Sequence, residues 1–274
     1  MSTSALFAPP QMTASRTPPA DVRDSLRARL EEAALNATAV GAQVLYDGWL
    51  VRFAHSSAKR ARSVNVLGLS TRTLDERLAY CSSLYARHGL PMVLRITSIG
   101  PDFFLDAELE SRGYTFTDET RVMCMPLAPM TRVRGDLQFL TVDASRFAAA
   151  VGEMRGSRPE HVDEHRTRLQ GLAVDILPVL AMDAAGRCVA AGLAARDGDL
   201  VGLFDIVTDP GQRRKGYAGA LVEHLLAEGA TGGATTAYLQ VEPENSAARA
   251  LYGRYGFKDC YAYWYRLPAE HAEA

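Results

Sequence analysis

The last third of the chain alternates apolar and polar stretches in a pattern that predicts strand, loop, helix, strand and helix. The apolar run Leu200–Val207 predicts a strand, and a polar loop separates it from the helix-like run Ala218–Glu228. The segment Thr236–Val241 is rich in β-formers and predicts a second strand. Ser246–Tyr255 predicts a short helix ending at Gly256, because glycine commonly terminates helices.

The loop between the first of these strands and the helix is basic. Arg213, Arg214 and Lys215 precede Gly216, and the small residue Ala218 follows two positions later. A strand that turns directly into a helix directs free backbone N–H groups outward, and the helix dipole adds about half a positive charge. Glycine and alanine also keep side-chain bulk away from a bound group. The loop therefore predicts a pyrophosphate site, with a basic helix start in solvent as the alternative.

Two motifs in this order resemble those of the GNAT superfamily of acyl-CoA-dependent N-acyltransferases. The first is Arg213-x-x-Gly216-x-Ala218, and the second is Asn245-x-x-Ala248-x-x-Leu251-Tyr252-x-x-x-Gly256-Phe257. The strong match covers residues 199–267, about a quarter of the chain. The resemblance implies a mixed sheet with helices on both faces, acetyl-CoA between the two central strands, and acyl transfer to an amine. It implies cofactor contacts from Ile206, Val207, Gln212, Arg213, Arg214, Lys215, Gly216, Tyr217, Ala218, Asn245, Ala248 and Tyr252.

The first half of the chain contains a weaker copy of the same pattern. Leu105–Tyr114 resembles Ala248–Phe257, since each is a short helix pattern that ends in glycine and an aromatic residue. A helix pattern at Leu74–His88 and a strand pattern at Met92–Ile96 precede it in the matching order. We therefore expect an α/β (α+β) fold with two GNAT-like mixed β-sheet domains in a tandem repeat.

The two predicted copies are chemically unequal. Val64–Thr73, which aligns with the basic loop, has no arginine-rich turn, and Leu109 stands opposite Tyr252. The first copy should not bind CoA in the usual manner, so we expect it to have a structural or substrate-shaping role. With a boundary near Pro126–Gly135, the expected division is a mobile arm at 1–20, a degenerate GNAT-like domain at 21–128 and a catalytic domain at 134–268.

Acyl transfer to an amine needs a proton acceptor, a donor that polarises the thioester carbonyl, and a proton donor for the leaving thiolate. The resemblance places Tyr252 as the general acid, with a core aromatic role as the alternative. Asp205 and Glu242 are the base candidates, with pKa values raised by burial, and Glu242 is the stronger of the two. Either carboxylate could instead be solvated or paired with an arginine. The polarising donor is expected to be the backbone N–H of Ile206 or Val207.

Other polar residues change this picture little. Asn245 should cap the helix that follows it. His161 and His165 are four positions apart, which predicts a solvated helix face rather than a metal site. The segment Arg155–Leu172 mixes both signs of charge and does not select a substrate. The basic turn Lys59–Arg62 could bind an acidic acceptor, but a surface charge cluster is the interpretation that we favour.

Composition excludes several classes of protein. The 274 residues carry a formal net charge of −2 with 47% hydrophobic content, so we expect no nucleic-acid partner. Neither a signal peptide nor a run long enough to span a membrane is evident. Four cysteines without C-x-x-C spacing predict neither a zinc site nor a disulfide framework. A reduced, cytoplasmic setting is expected.

Two functions from different classes remain. One is an acetyl-CoA-dependent N-acetyltransferase that acts on a primary amine of a small molecule, an amino acid or a peptide, without a metal. The alternative is a regulatory module that binds CoA without turnover. The presence of Tyr252 favours the enzyme. A homodimer is left open.

Overall fold

The computed structural model describes residues 22–56, 58–102, 104–130 and 136–269, so the expected arm at 1–20 and residues 131–135 of the expected boundary lie outside it. Within these ranges the helices are α1 (Val22–Asn36), α2 (Leu74–Arg87), α3 (Leu105–Ser111), α4 (Ala144–Arg155), α5 (Pro159–Gln170), α6 (Tyr217–Thr231) and α7 (Ser246–Tyr255). The strands are β1 (Ala42–Tyr46), β2 (Trp49–Phe53), β3 (Val64–Val66), β4 (Leu94–Thr97), β5 (Thr115–Pro126), β6 (Gln138–Thr141), β7 (Asp175–Met182), β8 (Cys188–Asp197), β9 (Leu200–Thr208), β10 (Thr236–Val241) and β11 (Lys258–Leu267).

The strands form one continuous mixed sheet that the two halves of the chain share. Their order is β1-β2-β3-β4-β11-β5-β10-β9-β8-β7-β6. The final strand of each half is therefore exchanged: β11 pairs antiparallel with β4, and β5 pairs antiparallel with both β10 and β11. Each half of the chain needs a strand from the other to complete its part of the sheet.

Helices cover both faces of the second half of this sheet, as expected. Along β8, Ala190 and Ala194 belong to the core that contains α6, whereas Ala191 and Leu193 pack with α4. This alternation follows from the two-residue period of a strand. Between them, Gly192 has no room for a side chain, because an added Cβ would lie 3.0 Å from Leu221 Cδ2 on α6.

The first half repeats the expected elements. The order α2, β4, α3, β5 matches the order α6, β10, α7, β11 along the chain. Both short helices end before a glycine with positive φ, Gly113 at 83° and Gly256 at 94°. A tandem duplication and its domain bounds remain a proposal on this likeness of order, because the exchanged strands leave no boundary in the sheet.

A buried ion pair holds the exchanged strand β11 at the junction. Arg95 on β4 and Glu31 on α1 are almost fully buried and form two hydrogen bonds, one of them 3.1 Å long between Arg95 Nη2 and Glu31 Oε2. Tyr261 on β11 donates its hydroxyl hydrogen to the same carboxylate at 2.8 Å. A buried charge needs such partners, since burial without them costs several kcal/mol, on the order of the whole stability margin.

The central strands β9 and β10 separate where the site lies. Their parallel pairing runs from Leu200 and Thr236 to Leu203 and Leu239 and then ends. Beyond that point β9 stays with β8 through a bulge, in which Asp205 has a φ of 52°. β10 stays with β5 as far as Val241. An extra residue in one strand bends it away from its neighbour, and this divergence creates a cleft.

Candidate active site

A cavity of about 400 Å³ lies at the opening between β9 and β10. Both halves of the chain line it. The first half contributes Ala37, Thr38, Ala39, Ala58, Arg60 and Thr120. The second half contributes the predicted site residues Asp205, Ile206, Glu242, Asn245, Ala248 and Tyr252, together with Arg155, His165, Arg168, Phe204, Gln240 and Tyr263, among others. Residues from α4, α5, β9, β10, α7 and β11 of the second half therefore converge on one space.

Asp205, whose backbone is left-handed, has two basic side chains as partners. Asp205 Oδ1 accepts a hydrogen bond from Arg155 Nη2 at 3.0 Å, and Oδ2 lies 2.9 Å from His165 Nε2. Burial alone would raise the pKa of this carboxyl, but the hydrogen bonds and charges of His165 and Arg155 lower it well below its usual range. The raised pKa that we expected for Asp205 is therefore wrong. Of the alternatives, the structure shows a carboxylate paired with an arginine, which is a weak proton acceptor.

His165 contradicts the expectation of a solvated helix face. It is 8% exposed on α5, and its ring contacts the ring of Phe147 edge-on at 6.0 Å. His161, one turn earlier, lies 3.2 Å from Arg158 Nη2 by its Nε2 atom. In the described ranges no group of three or more His, Cys, Asp or Glu side chains is arranged to hold a metal ion.

Tyr252 lies on α7 with its ring in the core and 8% of its surface exposed. Burial raises the pKa of its hydroxyl to about 12, so the phenol keeps its proton throughout the physiological range. Its ring packs edge-on against Phe257 at 6.0 Å. Tyr252 therefore packs in the core and also lines the cavity.

Glu242 and Asn245 stand where β10 passes into α7. Glu242 is exposed at the rim of the cavity, and no hydrogen bond or ion pair of its carboxylate is found across the part of the chain that the structure describes. Asn245 Oδ1 accepts a hydrogen bond from the backbone N–H of Ala248 at 3.1 Å. The predicted helix cap is confirmed.

Asp209 accepts from the backbone N–H of Gly211 at the beginning of the basic loop, whereas in the described residues the backbone N–H groups from Arg213 to Gly216 have no hydrogen-bond partner. Arg214 and Gly216 both have positive φ, 63° and 84°, a sequence of conformations that turns successive N–H groups to one side. Helix α6 begins at Tyr217, and the first N–H groups of a helix lack intrahelical acceptors. A Cβ added to Gly216 would meet no atom within 4 Å, so the space before the helix is empty. Lys215, Gly216 and Tyr217 border a second cavity of about 950 Å³.

The corresponding helix start in the first half is closed by the protein itself. Asp47 accepts hydrogen bonds from the backbone N–H groups of Thr71 at 2.9 Å and Arg72 at 3.0 Å. Those hydrogen bonds lower the pKa of the Asp47 carboxyl. Thr73 caps α2 by accepting from Glu76 N, and Glu76 accepts from Thr73 N in return. A carboxylate of the chain thus occupies the position that the basic loop leaves empty.

Sequence reasoning assigned none of Arg60, His165, Gln240 and Tyr263 to the site, although it allowed the basic turn Lys59–Arg62 to bind an acidic acceptor. Gln240 gave a local signal, because it is the one amide in an otherwise apolar strand. Tyr263 Oη donates to Gln240 Oε1 at 3.1 Å from the exchanged strand β11. Arg60 and Tyr263 reach the cavity through pairing of the two halves, for which the local sequence gives no signal.

Comparison with known proteins agrees with this geometry. Residues 24–266 match the model of the family described as "Probable histone acetyltransferase Rv0428c C-terminal". The chain belongs to this family. It has the GNAT fold, so the predicted superfamily is confirmed. No helix in the described residues combines the length and apolarity needed to cross a membrane.

Similar proteins include the [ribosomal protein bS18]-alanine N-acetyltransferase of Escherichia coli strain K12, which is 44% identical over 57 residues. That match covers 21% of this chain and 38% of the relative. A GCN5-related N-acetyltransferase from Kribbella flavida has a similar structure, with a TM-score of 0.68 and 15% identity over 91% of this chain and 96% of that one. A tandem GNAT protein from the clavulanic acid biosynthesis pathway gives a TM-score of 0.59 and 12% identity over 74% of each chain. These two structures support the fold alone.

Proposed function

We propose that this protein is an acetyl-CoA-dependent N-acetyltransferase that transfers an acetyl group to a primary amine of a small molecule, an amino acid or a peptide. The observation that carries the proposal is the cavity between β9 and β10, in which Tyr252, Glu242 and Asn245 meet beside the bulge of β9. A cleft with a few convergent polar groups is the usual form of a small-molecule site.

The basic loop is the element suited to the pyrophosphate of CoA. Its open N–H groups, two positive φ residues and the charges of Arg213, Arg214 and Lys215 form an anion site. Acetyl-CoA would supply the activated acyl group as a thioester. Ile206 lines the cavity, whereas Val207 is paired with Ala191 on β8. We therefore favour the backbone N–H of Ile206 as the donor that polarises the thioester carbonyl.

Tyr252 and Glu242 are the groups suited to move protons. The raised pKa of Tyr252 keeps its hydroxyl protonated, as a general acid for the departing thiolate requires. Glu242 has a free carboxylate at the rim, where an incoming amine could deliver a proton directly or through water. Asp205 is held by Arg155 and His165, so we assign it to positioning of His165 rather than to proton transfer.

The alternative is a CoA-binding module without turnover. Calorimetric titration with acetyl-CoA should give one site per chain, and thiol release against a panel of amines should detect transfer. One site with turnover supports the enzyme. One site without turnover on any amine supports the binding module, and absence of binding contradicts both.

A further inference from the structure

We propose that the acceptor is an amine that also carries a carboxylate, with the chemistry of an amino acid, and that Arg60 of the first half binds the carboxylate. This inference rests on the proposed function. It assigns the specificity of the reaction to a side chain from the half of the chain that lacks the basic loop.

The charges around the cavity leave two groups unpaired. Three basic residues on α4 and α5 have partners: Arg155 and His165 pair with Asp205, and Arg168 pairs with Glu164. In the part of the chain that the structure describes, Arg60 has neither a hydrogen bond nor an ion pair, and Glu242 has neither as well. One free cation and one free carboxylate on a single cavity are complementary to a zwitterion.

Unsatisfied donors at the cavity point to the same kind of ligand. Arg60 Nε and Gln240 Nε2 are buried without a hydrogen-bond partner. Gln240 Oε1 already accepts a hydrogen bond from Tyr263, so the Nε2 group is the part of the amide that can still form one. A buried donor without a partner costs about 1–3 kcal/mol, and such groups are rare in native proteins. A carboxylate accepts hydrogen bonds from both kinds of donor.

Arg60 is held in place by its surroundings. It lies in a 3₁₀ turn, Lys59–Ala61, whose last residue is fully buried. Its guanidinium stands 5.9 Å from the ring centroid of Phe204, which precedes Asp205 on β9. The side chain therefore crosses from the first half to the central strand of the second. Glu242, at the end of β10, would face the ammonium group and take its proton.

The test compares each of the common L-amino acids with its α-amide, which keeps the amine and removes the carboxylate charge. With saturating acetyl-CoA, we expect the amino acid of a reactive pair to have the higher kcat/KM, by about 10- to 100-fold. The variant Arg60→Gln should remove that preference, and Arg60→Lys should restore part of it. Lys59→Gln is the matched control, because it removes the same charge from the same turn and its side chain, paired with Asp118, lies outside the cavity. It should retain the preference.

Binding gives a second readout that does not depend on turnover. In the presence of CoA, N-acetyl-amino acids should bind more tightly than N-acetyl-amino acid amides, and Arg60→Gln should abolish the difference. Preference for the amides would overturn the inference and indicate the N-terminal amine of a peptide as the acceptor. Equal activity and equal binding, or no binding by any amino-acid product, would also overturn it. Because acetyl-CoA titration is independent of Arg60, normal cofactor binding in those cases would leave the proposed donor site intact.

Discussion

The starts of α6 and α2 occupy matching places in the two halves but treat their backbone donors in opposite ways. Before α6, Arg214 and Gly216 turn N–H groups toward empty space, and three cations surround them. Before α2, the carboxylate of Asp47 and the Thr73–Glu76 capping box satisfy the same kinds of groups. The start of α6 is therefore available for the anion that we propose there, whereas at the start of α2 acceptors of the chain itself already bind the N–H groups.

Satisfying donors internally favours stability, whereas leaving them open favours binding. A side-chain N-cap stabilises a helix start by a few tenths of a kcal/mol relative to glycine at the same position. The second half forgoes this stabilisation at α6, where Gly216 offers no side-chain acceptor. Open donors of this kind are typical of functional sites. The helix start of the first half is capped, and this half contributes to the cavity through lining residues such as Arg60.

The largest effect is expected from Gly216→Glu, which would give the open helix start its own carboxylate. The new side chain would also have to adopt a φ of 84°, which non-glycine residues rarely do. We expect loss of detectable acetyl-CoA binding in a calorimetric titration. The control is Gly89→Glu after α2, which imposes a similar backbone strain at a φ of 62° in equally open space. Unchanged affinity in Gly216→Glu would refute the assignment of the loop.

The next effect concerns the contrast between Tyr252 and Leu109, the matching residues of α7 and α3. Tyr252→Phe removes the transferable proton and keeps the ring that packs against Phe257. General acid catalysis is worth about 10²–10⁴-fold, so kcat should fall by that factor while acetyl-CoA affinity stays within about three-fold. Single-turnover measurement with a reactive acceptor isolates the step. A full chemical rate in the mutant would mean that Tyr252 only packs the helix, as Leu109 does.

The pH dependence of kcat gives a second test of Tyr252 as the general acid. Since burial raises the pKa of Tyr252 to about 12, loss of its proton should not reduce kcat below about pH 11. A fall in kcat with a midpoint near pH 10, present in the wild type and absent in Tyr252→Phe, would show instead that the hydroxyl titrates as in water.

The smallest effect is expected from Asp47→Asn, which removes the charge and one of the two acceptor oxygens from the closed helix start. Asparagine tolerates the φ of 45° at this position but cannot supply the charge. The folded-state pKa of Asp47 is lowered, so its stabilisation is present above the unfolded pKa of about 3.9 and is lost as the pH falls through the folded value. The variant should have a lower Tm than the wild type at pH 7, and the difference should narrow below about pH 4.

Two checks accompany this experiment. Asp163→Asn removes an exposed ion pair with Arg166 and should change Tm less, because surface pairs contribute little. Calorimetry of Asp47→Asn should still find a single acetyl-CoA site, since the first half lacks the arginines of the loop. A second site would show that the carboxylate of Asp47, and not the lack of arginines, keeps the first half from binding acetyl-CoA.

The sequence predicted those parts of the site that lie close together along the chain. The loop from Gln212 to Ala218 and the segment from Asn245 to Tyr252 each carry a local pattern, and the resemblance to one superfamily supplied their order. The separation of β9 and β10 followed from the same resemblance. The mixed charges of Arg155–Leu172 gave no sign that His165 is buried. Its partner Asp205 lies in the bulge of β9, which is distant along the chain.

The sheet order could not be predicted from hydrophobic pattern. Strands β5 and β11 are the last strands of their own halves, and nothing local in either shows that it pairs with a strand more than 100 residues away. Side-chain alternation determines which face of a strand is buried and leaves its neighbours in the sheet undetermined. For the same reason, the contact of Arg60 with the second half had no signal in the sequence.

The exchange of β5 and β11 sets the order in which this protein can fold during its synthesis. Strand β4 pairs with β3 early but obtains its second neighbour only when Lys258–Leu267 has left the ribosome, so the first half has an unpaired edge while the second half is made. Pairings of such sequence separation form slowly, and unpaired edges are prone to aggregation in the interval. A nascent chain arrested before β11 should therefore engage chaperones more than the completed one.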